Sequence, residues 1–469
     1  MNNNIKALKS GVWYTIASFA TKSIGFITTP IFTRILTHEE FGLYNNYTSW
    51  LSILTIFVTL NLESTFISAR YDYENRFDSY IFSSLVLSTL SAAFWFILLN
   101  FGNFFERISG VDKKYINCMV VYLIFLPAIN MFQARERYYF KYKMSVLIST
   151  VVSVGTALLS VVLVVFFENK LSGRILGSAI PTVFIGIIIY IYIWKQGKRV
   201  NLDDWKYALP ICVPYIPHLL SLTILNSMDR IMITNICGSE ENALYSLAYT
   251  CGSMITILIG SMNSAFAPWL GEMLSENKLK EIQVVSKKYI SAFFYLAIGI
   301  MLFAPEILLL FGGKSYMEAI YVMTPVSMGC VCQFLYTLFV NVEQFKKKTI
   351  GMACASITAA VINFILNWIF IPKFGYLAAA YTTLVGYLCL LLIHMFLVKR
   401  IKLNNVYSYK FVREVVILGI AAMVIITLLY SHAILRYIFI GIYGGTFIII
   451  LRNSSEIKGY FNRKKRGGF

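Results

Sequence analysis

Charge is what this chain has least of. Only 14% of its 469 residues are Asp, Glu, Lys or Arg, against about a quarter in soluble domains. Acid is scarcer than base, 23 residues to 41. Four histidines are too few for much of a metal site. Eight cysteines form no Cys-x-x-Cys pair, and Cys330-Val-Cys332 has the wrong spacing for a zinc knuckle. They all fall in or beside apolar runs and read as small buried hydrophobes. A Walker-type phosphate loop is missing, so ATP hydrolysis by this chain is excluded. No cofactor is expected. Nor is there a polar stretch long enough for a soluble domain, which excludes a soluble enzyme on one anchor.

What is present is apolar. Hydrophobic residues make up 58% of the chain. A bilayer-crossing helix needs about 20 of them in succession. Fourteen such runs lie at 10–35, 43–69, 80–102, 115–134, 144–167, 174–194, 208–236, 243–267, 288–311, 317–341, 350–371, 376–398, 412–431 and 434–451. The expected fold is an all-α polytopic membrane protein. The segments 195–207 and 268–287 are expected to be its longest connections. Met1–Lys9 is polar and enters the first run with no small-residue cleavage site, so no cleaved leader is expected.

The basic residues orient the chain. With the N-terminus inside, 30 fall on the cytoplasmic side, eight fall outside, and Lys22, Arg34 and Arg230 lie within spans. This asymmetry places both termini in the cytoplasm. The net charge of +18 is then a collar and tail facing anionic membrane lipid. A nucleic-acid partner is not expected.

A shift of 201 residues overlays Glu39-Glu40-Phe41-Gly42-Leu43-Tyr44 on Glu240-Glu241-Asn242-Ala243-Leu244-Tyr245. In the first span, Thr15, Ser18, Lys22, Gly25, Thr29 and Thr33 share one helical face. The shift carries the last four to Thr223, Asn226, Arg230 and Thr234. In the second span Thr48, Ser52, Thr55, Thr59 and Glu63 form a stripe, carried to Tyr249, Ser253, Thr256, Gly260 and Ser264. The expected architecture is two six-helix lobes, 1–200 and 201–400, related by a parallel pseudo-twofold. A helical hairpin, 401–451, and a basic tail, 452–469, follow. Polar stripes in lipid must face protein or water, as a cavity between the lobes or as helix–helix seams.

Ionisable residues inside the membrane are costly and usually functional. Lys22, Arg230 and Glu63 are the cavity candidates, with Arg34 and Arg70 nearer the two mouths. A Lys22–Glu63 pair is the structural alternative. Asp229, beside Arg230 in sequence, is expected to turn toward a neighbouring helix, for coupling or structure. His218 is a packing or proton-coupling candidate. Pro30, Pro214 and Pro217 are candidate gating bends, as is Pro210. Two cations against one acid favour an anionic cargo.

Thr29-Pro30-Ile31-Phe32-Thr33-Arg34-Ile35-Leu36-Thr37-His38-Glu39-Glu40-Phe41-Gly42-Leu43-Tyr44 resembles the opening of bacterial polysaccharide flippases. So do Ser227-Met228-Asp229-Arg230-Ile231-Met232-Ile233 and Ala243-Leu244-Tyr245-Ser246-Leu247-Ala248-Tyr249, and Ala304-Pro305-Glu306-Ile307 with Phe311-Gly312. These are the O-antigen and capsule repeat-unit translocases of the multidrug/oligosaccharidyl-lipid/polysaccharide exporter superfamily. The resemblance implies two lobes about a cationic cavity. It implies alternating access and an undecaprenyl-pyrophosphate-linked oligosaccharide moved from the inner to the outer leaflet of a bacterial inner membrane. It implies Lys22 and Arg230 as cavity cations, and a polymerase and other assembly proteins as neighbours. The hairpin 412–451 departs from the twelve-span pattern. On this reading the chain is not an enzyme. A multidrug/cation antiporter of the same fold and a membrane polysaccharide polymerase or ligase are the alternatives.

Overall fold

The computed structural model describes residues 19–453, apart from residues 22, 140 and 402–405. Every regular element in them is helical. The helices are α1 (residues 23–35), α2 (His38–Thr59), α3 (Phe77–Asn100), α4 (Lys113–Tyr138), α5 (Tyr142–Phe166) and α6 (Lys170–Gly197). There follow α7 (Ile216–Ile236), α8 (Ser239–Gly252), α9 (Thr256–Ser275), α10 (Leu279–Leu302), α11 (Ile320–Phe345) and α12 (Thr349–Phe374). The last are α13 (Tyr376–Arg400), α14 (Tyr409–Leu429) and α15 (Ala433–Asn453). Among the described residues, eleven helices are long and apolar enough to cross a membrane, or twelve with one bent pair taken as a single span.

The expected long connections are mostly helix. Residues 195–207 hold the end of α6 and the start of a helix at Leu202, and the 268–287 segment shrinks to a short turn between Ser275 and Leu279. An apolar window ends where the bilayer ends, but backbone hydrogen bonding carries the helix on through charged residues. The second span is not continuous either. α2 stops at Thr59, where Leu60 and Asn61 take left-handed φ of 53° and 49°. The chain resumes as Leu62–Thr65 and Phe66–Asp72, bent by 49°. Glu63 therefore leaves the Thr48–Thr59 stripe.

Two halves are built around separate cores. Leu62, Phe66, Tyr80 and Phe132 centre one cluster of the first half, and Tyr47, Val58, Met119 and Leu123 another. In the second, Phe293, Phe334, Leu338 and Phe339 centre a larger one. The hairpin belongs to this half: Val412, Val415, Met423 and Ile426 of α14 join its core. Further out, α15 stacks Tyr443 on Tyr295 of α10, with centroids 4.2 Å apart. Buried Arg436 forks onto Glu306 at 2.6 and 2.8 Å, a bidentate geometry that fixes orientation as well as energy. The helix Leu202–Cys212, which links the halves, lies on the first. Trp205 donates to the Ser83 carbonyl at 2.9 Å, and Arg76 pairs with buried Asp204 at 2.8 Å.

Burial alone pushes the Glu306 carboxyl up, but hydrogen bonds from Arg436 and Tyr437 outweigh it and hold the group below its ordinary value. A carboxylate depressed on folding stabilises above its unfolded pKa and loses that contribution as the pH falls through its folded pKa. The thermal midpoint of the purified protein should exceed that of Glu306→Gln at neutral pH. The difference should shrink as the pH drops below about 4.5, the unfolded value. A constant difference would exclude the ion pair as its source.

Candidate functional site between the two halves

The halves meet through a seam at one end. Phe32, Leu36 and Phe41 of the first half share a buried cluster with Met232, Ile233, Ala243, Leu244 and Tyr245 of the second. Polar clasps border it. Thr33 donates to the Phe311 carbonyl at 2.5 Å, and Arg34 to Leu310 at 3.2 Å. His38 meets Ser315 at 3.2 Å, and Asn235 donates to Ile108 at 3.1 Å. Buried Asn242 donates to the Gly42 carbonyl at 2.9 Å. The two turns equated by the 201-residue shift thus lie against each other.

Gly42 permits that approach. A Cβ built there would stand 1.7 Å from the Ser239 carbonyl oxygen, with the Ala243 nitrogen also at 3.2 Å. Any side chain forces the backbones apart. At the other end, which carries most of the basic residues, the continuations of the same helices part company. Leu62–Asp72 packs within the first half and α9 against α10 and α11. Among the described residues, the halves are clasped at one end, and the continuations of these helices pack within their own halves at the other.

Arg230 lies on α7, one position after Asp229. It is partly exposed and donates to the Asn226 carbonyl at 2.9 Å. Its guanidinium lies 4.7 Å from the Tyr249 ring centre. No carboxylate among the described residues forms an ion pair with it. Exposed Asn226 accepts from Tyr387 at 2.6 Å. The result is a cation backed by tyrosines with its charge unspent. Lys22 lies outside the described residues.

Asp229 points the other way, 1% exposed. Its carboxylate accepts from Tyr245 of α8 at 2.6 Å, Asn367 of α12 at 2.6 Å and Thr383 of α13 at 2.5 Å. Asn367 is held in turn by Asn363 and Thr382. One side chain therefore ties α7 to three neighbours. Adjacent helical residues point about 100° apart, so one pair serves both cavity and core.

A family model described as "Polysaccharide biosynthesis protein" matches residues 7–274. The chain belongs to that family. A protein of the Lsg locus of Haemophilus influenzae is 22% identical over 374 residues, covering 76% of this chain and 90% of that one. The fold is similar to that of lipid II flippase MurJ in an inward closed conformation, with a TM-score of 0.69, 13% identity, and 91% of this chain and 100% of that chain covered. It is also similar to an inward-facing multidrug resistance MATE family transporter of the MOP superfamily, at a TM-score of 0.67, 14% identity, and 84% and 98% coverage. This family member thus shares the fold of those two proteins.

The remaining sequence candidates are dispersed. Glu63 sits inside the first half near Asn130 and Arg137, with one carboxylate oxygen buried and unpartnered. Arg70 donates to the Tyr138 carbonyl and lies 5.1 Å over the Tyr139 ring, which caps the end of α4. Arg34 is part of the seam. His218 bonds Ser356 at 2.8 Å between α7 and α12. Pro30 lies within α1, Pro214 in the 3-10 turn Val213–Tyr215 inside the helical stretch Leu202–Ile236, and Pro217 in the first turn of α7. Sequence reasoning missed Tyr249 and Tyr387 as the backing of Arg230, and Asn367 and Thr383 as partners of Asp229. The last three stand on α12 and α13, outside the compared segments.

Gly42→Val should shift the equilibrium away from the clasped seam. Spin labels at Glu39 and Lys314 would then show a longer distance distribution, and an unchanged one would contradict the close approach. Asp229→Ala strands three donors, each worth about 1–3 kcal/mol, and should lower the thermal midpoint well beyond Asp229→Asn.

Proposed function

We propose that this protein flips a polyprenyl-pyrophosphate-linked oligosaccharide, undecaprenyl-linked in bacteria, from the cytoplasmic to the outer leaflet of the inner membrane. Family membership and the transporter fold support transport for polysaccharide synthesis, such as O-antigen or capsule. The observation that carries the cargo assignment is Arg230: a partly exposed guanidinium with no ion pair among the described residues, while the adjacent acid is turned into the core. A cavity for lipophilic cations would show the reverse. Pyrophosphate matches a guanidinium fork and, at Lys22, a point charge.

The 30:8 distribution of basic residues supports an orientation with the end opposite the seam and both termini in the cytoplasm. Cargo enters there while the Gly42 seam closes the outer end. Opening outward breaks the five seam clasps and brings the parted ends together, a rocking of one half against the other. The break at Leu60–Asn61 and the turn Val213–Tyr215 are the bends available to it. Asp229 keeps α7 tied to α8, α12 and α13 as the second half moves, so Arg230 travels with it. Polymerase and other assembly proteins receive the product. The short outer connections disfavour a polymerase or ligase role for the chain itself.

Arg230→Ala and Lys22→Ala should each reduce translocation at least about tenfold, the size of a lost charge-assisted contact. The measurement is leaflet accessibility of the lipid-linked sugar in vesicles. Arg230→Lys should retain an intermediate rate. Unchanged rates in both alanine variants would remove the site assignment, and the multidrug antiporter would then be the better reading.

A further inference from the structure

The first half holds a cation that neither the seam clasps nor the central face uses. Arg174 is the first residue of the apolar run 174–194. The structure starts α6 at Lys170, because Asn169 caps it by accepting from the Ser172 amide at 2.8 Å. Arg174 is therefore a full turn inside the helix. It points among α1, α2 and α4–α6.

Two rings hold the guanidinium by its faces. Its carbon lies 3.7 Å from the Phe32 ring centre and 4.4 Å from that of Tyr44. Stacking of this kind restrains a guanidinium without consuming any of its five N–H donors. Those donors are unspent. Nε is buried with no partner, and neither terminal nitrogen bonds any described acceptor. No described carboxylate pairs with it. A charged group at this depth is costly when nothing accepts from it.

A cavity of about 360 Å³ adjoins it, within the range of small-ligand sites. Arg174 lines this cavity together with Tyr44, Tyr47, Tyr122, Thr48, Ser178 and Thr182. No Asp or Glu lies in the wall. On the α1 side Gly25 leaves space: a Cβ there would meet nothing within 4 Å. The pocket thus offers one positive fork, many hydroxyls, aromatic rings and no negative charge. It is separate from Arg230, which stands in the second half.

We propose that this pocket binds the oxyanion of a hydroxyl-rich small ligand, a carboxylate or phosphate carried on a sugar. The fork of Arg174 takes two oxygens in its plane. The serine, threonine and tyrosine hydroxyls serve as donor or acceptor to sugar hydroxyls. The pocket also reports on the seam. Phe32, which stacks on Arg174, is 2% exposed and belongs to the cluster shared by the two halves. A ligand on Arg174 therefore binds a group stacked on a side chain of the seam cluster.

Equilibrium binding to the purified full-length protein tests this independently of translocation. The probes are glucuronate, glucose 1-phosphate, inorganic phosphate and uncharged glucose. Glucuronate and glucose 1-phosphate should bind, with glucose at least about tenfold weaker for want of the charge-assisted bond. Inorganic phosphate weaker than glucose 1-phosphate assigns the pocket to a sugar acid; phosphate equal to it assigns the pocket to free anions and overturns the sugar part. Arg174→Gln should lose about tenfold or more, and Arg174→Lys less. Wild-type affinity in Arg174→Gln, or no binding by any oxyanion, overturns the proposal. Should Arg174→Gln fail to fold, Tyr122→Phe with Thr182→Val must weaken the sugar acids. Unchanged affinity there overturns it equally.

Discussion

A bilayer core contains no water to satisfy a polar group, and this condition governs where every charge and hydroxyl of the molecule ends up. Most hydroxyls answer it within their own helix. Thr48, Ser52 and Thr55 bond carbonyls three or four residues back, as do Ser264 and Thr358. Such residues cost little and leave the helix free to face a cavity or a neighbour. The charges cannot be answered so locally. Asp229 needs donors from three other helices, Arg436 needs Glu306, and Arg70 needs the end of α4. Each of these is therefore a point where the fold is tied together.

The same condition identifies what is left over. Arg230 and Arg174 are held by aromatic faces and a backbone carbonyl or nothing, so their charge remains available. One is partly exposed on α7 and the other lines a pocket inside the first half. Ionisable groups inside a membrane are costly and usually functional. Arg174 stacks on Phe32 of the seam cluster, so the proposed anion pocket adjoins the contact between the halves.

The seam joins the halves through a buried cluster bordered by a few polar clasps. Its clasps are mostly single hydrogen bonds to backbone carbonyls, and its closest contact depends on a missing side chain at Gly42. Between membrane helices, close approach and interhelical hydrogen bonds replace the hydrophobic drive of water. Rings also stack closely inside the second half, Phe293 on Phe334 at 4.3 Å and Tyr295 on Tyr443 at 4.2 Å. Two halves with cores of their own, joined at one end by a buried seam, suit a rocking exchange of access.

Composition and spacing alone determined the membrane class, the helical character and the segregation of basic residues. These depend only on bilayer thickness and on charge, which act on each segment separately. The adjacency of Asp229 and Arg230 also dictated that they point apart, since helix geometry is local. The sequence pattern misplaced Glu63 because the break at Leu60–Asn61 interrupts a stripe that hydropathy reads as continuous. The apolar run starts at Arg174, whereas the Asn169 cap starts the helix a turn earlier, at Lys170. The sequence pattern left out Tyr387, Asn367 and Thr383 because their importance comes from facing α7 across a helix boundary. Which end is clasped, which cation is free and which is consumed were decided by tertiary structure alone, because they depend on groups more than 100 residues apart meeting where water is absent.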